Sequence, residues 1–124
     1  MEFRDNKAIY LQIAEYVCEH ILLGKWKADE KVPSVRELAV EMEVNPNTVM
    51  RTYELLQNKN IIKNKRGIGF FVDEAAAEHV KSYRKQQFIA DELPVVFRNI
   101  YLLNIGFDEL ENQYETFVKE NFNA

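Results

Sequence analysis

A chain of 124 residues is the length of one compact domain or of a small domain with an appendage, and its 47% apolar content with fifteen aromatic residues excludes intrinsic disorder. A net charge of −4 excludes a uniformly basic nucleic-acid binder, and the single Cys18 excludes an internal disulfide. The longest uncharged run, residues 99–107, is too short to span a bilayer, and residues 1–30 lack the pattern of a secretory signal, so a soluble cytoplasmic protein is expected.

Residues 1–6 are polar and expected to fray. From Lys7 to about Leu23, Tyr10, Ile13, Ala14, Val17, Cys18 and Ile21 form an unbroken helical stripe, and Gly24 suits the left-handed residue that ends a helix. Cys18 on that stripe reads as a small core hydrophobe. Residues 25–33 form a polar connection anchored by Trp26 and Val32. Within it Lys31 and Val32 can form a short strand, because Pro33 keeps the residue before it extended.

The stretch from Ser34 to Tyr53 holds two helix starts. Ser34 followed by Glu37 has the spacing of a capping box, and Val35, Leu38, Ala39 and Met42 give one apolar stripe. Asn45 caps a second helix, and Pro46 suits its first turn, where no N–H is needed. There Val49, Tyr53 and Leu56 share one face, while Asn47, Thr48 and Arg51 lie opposite. A helix–turn–helix needs this split, one face to pack and the other to enter a DNA major groove. Two core helices with a solvated face would read alike here. Asn60 is a second left-handed stop.

The pattern then changes. Two short β-prone runs, residues 61–63 and 70–72, flank a basic, turn-rich tip of Asn64, Lys65, Arg66 and Gly67, the signal of a β-hairpin. After a helix–turn–helix such a hairpin is a wing whose tip can reach a neighbouring phosphate or minor groove. Residues 44–72 hold Arg51, Lys59, Lys63, Lys65 and Arg66 against Glu54 alone, five minus one or +4. Residues 74–124 balance at −4, five basic against nine acidic. A basic segment beside an acidic one is the footprint of a local phosphate-binding surface.

The order helix, helix–turn–helix, hairpin, carried by IYLQIAEYVCEHILLGKW, VPSVRELAVEMEVNPNTVMRTYELL and RGIGFFV, resembles the GntR family of bacterial transcription regulators over about residues 8–72. The NPNTV-x-R-x-Y form is similar to its small YtrA-like branch. The same form occurs in DNA-binding heads attached to aminotransferase-like domains, for which this chain is too short. The resemblance implies a winged helix–turn–helix head, residues 1–73, reading DNA through the helix 45–58 and the basic wing 63–69. It places Ser34 and Arg36 at DNA-contacting positions, Asn45, Asn47, Thr48 and Arg51 at the start and polar face of the recognition helix, and Lys65, Arg66 and Gly67 at the wing tip. Two positions depart from the family pattern. Pro46 replaces a DNA-contacting arginine, which leaves more of the base readout to Arg51 or Asn47. Glu30 replaces a glycine in the connection.

From about Glu74 to Leu103 the spacing predicts a long helix, interrupted near Pro94 and ended by Gly106. A last helix runs from an Asp108 cap to about Phe122, with Leu110, Tyr114, Phe117 and Val118 on its apolar face. Two helices close no core alone, yet this pair carries Tyr83, Phe88, Phe97, Tyr101, Phe107, Tyr114 and Phe117. That surface must bury against the head or a second copy. The resemblance implies the second option, residues 74–124 as a helical dimerisation segment, so that a twofold dimer reads an inverted-repeat operator.

No catalytic constellation is visible. His20 and His79 each stand on a predicted helix without a ligand-spaced partner, and no phosphate-binding loop, zinc motif or nucleophile elbow occurs. The chain is therefore expected to be no enzyme, with neither cofactor nor metal. The acidic run Asp108, Glu109, Glu111 and Glu115 opens a helix, where acids suit the dipole. Two functions remain: a DNA-binding regulator, a repressor by analogy, or a winged-helix protein-interaction module without DNA binding. Nothing points to the chemistry of a small-molecule effector.

Overall fold

The computed structural model describes residues 1–122 and divides into two compact units, Met1–Lys85 and a second from Gln86 onward. The first unit, here the head, contains α1 (Ile9–Leu22), α2 (Val35–Met42), α3 (Pro46–Asn58), the strands β1 (Ile62–Lys65) and β2 (Gly69–Val72), and all but the end of α4 (Ala76–Gln87). The architecture is mainly helical with one antiparallel hairpin, as the sequence predicts.

Local signals set the ends of these helices. Gly24 takes φ +76° after α1, and the amides of Lys25 and Trp26 donate to the His20 carbonyl. The Ser34 hydroxyl accepts from the Glu37 amide at 3.1 Å while the Glu37 carboxylate accepts from the Ser34 amide at 2.9 Å, so the capping box is complete. Asn45 Oδ1 accepts from the Asn47 amide at 2.8 Å, with Pro46 in the first turn. Asn60, at φ +59°, stops the chain after α3.

Burial then joins the helices. Ile13, Ala14, Val17, Cys18 and Ile21 of α1 meet Leu38, Ala39 and Met42 of α2 and Val49, Tyr53 and Leu56 of α3 in one core, closed by Val32, Ile61, Ile62, Val72, Ala76 and Val80. Each Val, Leu, Ile or Met among them contributes about 1.5–3 kcal/mol when fully removed from water. Two polar groups pin the same elements. Thr52, fully buried on α3, donates to the Tyr10 carbonyl at 2.7 Å, and the Tyr53 hydroxyl donates to the Pro33 carbonyl at 2.7 Å. A buried hydroxyl needs such a partner to offset its desolvation.

The amino terminus departs from the expected fraying. Gln12, nearly buried on α1, accepts from the Arg4 amide and donates to the Arg4 and Lys7 carbonyls, while Arg4 and Lys7 pair with Glu15. Of residues 1–6, Arg4 finds partners for both its backbone N–H and its carbonyl on the helix that follows.

In the hairpin Ile62 pairs with Val72, Lys63 with Phe71, Asn64 with Phe70 and Lys65 with Gly69. The expected tip, residues 64–67, is therefore corrected: Asn64 and Lys65 are strand residues, and the tip is Arg66, Gly67 and Ile68. The Ile68 amide closes the turn on the Lys65 carbonyl at 2.9 Å, and Gly67 supplies the positive φ (+79°) at its third position. The expected strand at Lys31–Val32 survives as a single bridge, Lys31 to Phe71.

In the second unit, here the tail, a π-helical turn (Phe88–Glu92) precedes α5 (Leu93–Leu102), and α6 (Phe107–Asn121) follows. The expected interruption near Pro94 takes the form of that turn, in which the Leu93 amide donates to the Phe88 carbonyl five residues back. Pro94 has no N–H and crowds the preceding turn, which widens the helix upstream of it. Two expected boundaries move. Asn104, at φ +54°, is the left-handed stop after α5, whereas Gly106, at φ −78°, is the N-cap of α6. Asp108 is no cap but lies in the first turn. Its Oδ1 would stand 2.7 Å from a side-chain carbon at position 106, so the carboxylate already occupies the space beside the cap residue. No residue of the π turn, α5 or α6 is buried.

Candidate nucleic-acid interface

Ser34, Arg36, Asn45, Asn47, Thr48 and Arg51 stand on or beside α2 and α3, and Lys65, Arg66 and Gly67 on the wing. The capping box decides what Ser34 can offer. Its amide is taken by Glu37 and its oxygen accepts the Glu37 amide, which leaves the hydroxyl proton as the available donor. Those hydrogen bonds from Ser34 hold the Glu37 carboxyl below its ordinary pKa, so it stays ionised. Arg36, two residues into α2, is exposed and makes no hydrogen bond or ion pair among the described residues. The ordinary helix-surface ion pair open to such an arginine, with Glu37 or Glu41, is not formed among the described residues. Arg36 instead borders an open cleft of about 490 Å³, lined also by Ala39, Val40, Glu43, Val44 and Pro46 at the turn between the two helices.

On α3 Asn47 and Arg51 are exposed and Thr48 is half-buried. Asn45 keeps its side-chain N–H donors, since only its oxygen serves the cap. Met50 and Glu54 are also exposed. With Asn47 and Arg51 they occupy offsets 0, 3, 4 and 7, one continuous helix face. The sequence reading omitted both, although the same spacing arithmetic applied to the polar face would have found them. Arg51 has no carboxylate partner among the described residues; its guanidinium carbon lies 3.9 Å over the ring of Tyr10 on α1.

On the wing Lys65, Arg66 and Gly67 are all exposed. The Lys65 ammonium rests 4.2 Å from the centre of the Phe71 ring, while Arg66 makes no hydrogen bond or ion pair among the described residues. The local +4 overstates the available charge. Lys63 is paired with Asp29 at 2.9 Å, and that hydrogen bond, the largest influence on it, raises its pKa. Lys59 turns towards the Tyr83 ring of α4, 5.6 Å from its centre. Of that segment's cations Arg51, Lys65 and Arg66 are left without a carboxylate partner among the described residues, and Arg36 on α2 joins them. Among the described residues no hydrogen bond or ion pair joins Lys65 or Arg66 to α2 or α3.

The remaining reactive side chains are committed elsewhere. Cys18 is fully buried in the core, and burial pushes its thiol up to about 12. His20 Nδ1 lies 2.8 Å from the Tyr16 carbonyl, and His79 Nδ1 lies 2.7 Å from the Asn60 carbonyl at the end of α3.

A family model for bacterial regulatory proteins of the gntR family matches residues 9–72. YhcF of Bacillus subtilis (strain 168), an uncharacterised HTH-type transcriptional regulator, is 30% identical over 118 residues, 95% of this chain and 96% of its own length. YtrA of the same strain, an HTH-type transcriptional repressor, is 42% identical over 73 residues, 59% of this chain and 56% of its own. Among solved structures, a candidate GntR-family transcriptional regulator from Bacteroides thetaiotaomicron is 49% identical with a TM-score of 0.72, covering 91% of this chain and 98% of that one. The DNA-binding domain of AraR in complex with operator ORX1 is 25% identical with a TM-score of 0.52, covering 58% of this chain and 88% of that one.

Proposed function

Because the chain belongs to the GntR family of bacterial regulatory proteins, we propose that it is a sequence-specific DNA-binding transcription regulator, a homodimeric repressor that reads an inverted-repeat operator. The observation that carries this reading is a set of arginines without carboxylate partners among the described residues, Arg36 on α2, Arg51 on α3 and Arg66 at the wing tip. Exposed arginines normally gain from nearby acids. Here Glu37 is engaged by its cap and Asp29 by Lys63, and Glu41, Glu43 and Glu54 form no ion pair with these arginines among the described residues, so the cations stay available to phosphate and base edges. The AraR relative, whose domain is solved on its operator, and the YtrA relative, a repressor, support the same reading.

The roles follow from side-chain chemistry. Arg36 and Arg51 present planar forks suited to a guanine edge or to two phosphate oxygens. Asn47 can read adenine, and Met50 beside it offers an apolar contact to a thymine methyl. The Ser34 and Thr48 hydroxyls, the Asn45 side-chain N–H groups, Lys65 and Arg66 serve phosphates without sequence preference. Gly67, with no side chain at the tip, lets backbone approach DNA closely.

The tail supplies the second copy. Its large apolar side chains are exposed, Tyr101 and Phe107 among the most, and no residue of its π turn, α5 or α6 is buried. A matching surface on another protomer would cover them and set two α3 helices about one DNA turn, or a multiple of it, apart. Bound across a promoter, such a dimer blocks transcription. No helix of the described residues is long and apolar enough to cross a membrane, in keeping with a place in the cytoplasm beside the chromosome.

The test is binding to duplex DNA from upstream of the protein's own gene, against a scrambled duplex, at two salt concentrations. Preferential binding that weakens steeply with salt is expected, and the slope counts the phosphate contacts. A folded dimer that binds neither duplex would overturn the reading in favour of a winged-helix protein-interaction module.

A further inference from the structure

We propose that Tyr10 is a positioning residue for DNA recognition, holding the Arg51 guanidinium in the orientation in which it meets the duplex. The inference rests on the regulator reading above and deepens it. Tyr10 lies in the first turn of α1, remote in sequence from α3, yet both of its ends engage that helix. Its carbonyl accepts the hydroxyl of Thr52, a fully buried residue, at 2.7 Å, which fixes its backbone against the middle of α3. Its half-buried ring lies beneath the guanidinium of Arg51, the residue before Thr52, at 3.9 Å. The hydrogen bond sets where the ring stands, and the ring sets where the guanidinium stands.

A ring contact is a better holder here than an acid would be. Glu54 shares the exposed face three residues on, but no ion pair with Arg51 forms among the described residues. Such a pair would neutralise the charge and occupy the N–H donors that DNA requires. An aromatic face attracts the cation through its quadrupole and leaves the charge and the peripheral N–H groups unspent. An arginine also loses much rotamer freedom when it binds, and one already held by a ring has less left to lose. Tyr10 therefore raises affinity without touching DNA, and only through Arg51.

The experiment uses the full-length protein and a duplex that the wild type selects from a random-sequence pool. Tyr10→Leu removes the aromatic face and is expected to weaken binding about two- to fivefold, the size of an exposed cation–ring contact. Tyr10→Phe keeps the face and is expected to restore binding to within about twofold of wild type. The deciding measurement is Tyr10→Leu in an Arg51→Ala background, where it should cause no further loss. A separate reading without DNA is the nuclear magnetic resonance shift of the Arg51 side-chain protons, moved upfield by the ring current in the wild type. This measurement stands even if Tyr10→Leu fails to fold. An equal loss in both backgrounds, an unaffected Tyr10→Leu, or an unshifted Arg51 overturns the proposal while leaving the regulator reading in place. Failure of the wild type to select any duplex overturns both.

Discussion

Head and tail both carry many large apolar side chains but place them oppositely. In the head Ile13, Leu38, Val49, Tyr53 and Leu56 are fully withdrawn from solvent. In the tail Tyr101, Phe107, Leu103 and Tyr114 remain 84%, 71%, 69% and 67% exposed. The difference is geometric. Four helices and a hairpin can enclose a volume, so each buried side chain finds neighbours on several sides. A π turn and two helices leave their faces open, and only another surface can complete them. The head thus carries its stability within one chain, whereas the proposed association would make the tail's stability depend on concentration.

The strongest challenge to this contrast is a pair of charges in the tail. Leu103→Glu with Phe117→Glu removes about 3–6 kcal/mol of apolar burial from an associated state and adds charge desolvation to it. Sedimentation at micromolar concentration should show a monomer whose head keeps its near-ultraviolet circular dichroism. A persisting dimer would mean that these side chains are not its contact.

Leu56→Ala probes the other half of the comparison. It opens a cavity in the closed core and should cost about 2–5 kcal/mol in denaturant unfolding. A loss below about 1 kcal/mol would show that the site collapses and that the head is packed less tightly than its burial suggests.

Arg36→Ala and Arg51→Ala are expected to lower DNA affinity by about 1–3 kcal/mol each while leaving the fold intact. Both side chains are exposed and contribute nothing to the core. Unchanged binding by both variants would remove the interface from this face.

The smallest effects concern the cap of α2. Ser34→Ala should cost about 1 kcal/mol of stability. Glu37→Gln should show a pH dependence whose sign follows from the depressed carboxyl pKa. A carboxyl lowered in the folded state stabilises above its unfolded value, and that contribution disappears as pH falls through the folded value. The gap in urea midpoint between wild type and Glu37→Gln should be present at neutral pH and vanish in acid. A gap that grows in acid would contradict the cap geometry.

What could be read from the sequence is what depends on neighbours within two helical turns. Ser34 with Glu37, Asn45 with Pro46, Gly24 and Asn60 set helix ends because their partners lie one to six residues away, a spacing written in the chain itself. The stripes through Ile13 and Val17, and through Val49, Tyr53 and Leu56, were legible for the same reason, since one helical period predicts a shared face. Gly106 and Asp108 were misassigned because Asn104 and a glycine cap satisfy the same local needs in a different order.

Only the tertiary structure decided which charges are available. Asp29 neutralises Lys63 across 34 residues of chain, and Tyr10 meets α3 through Thr52 across 42. Counting charge along a segment cannot anticipate such pairings, because they depend on where a distant part of the chain returns. Helical period and capping are properties of a local backbone. Which arginines are left without a carboxylate is a property of the packed head, since pairings such as Lys63 with Asp29 or Arg51 with Tyr10 require two elements brought together by a common core.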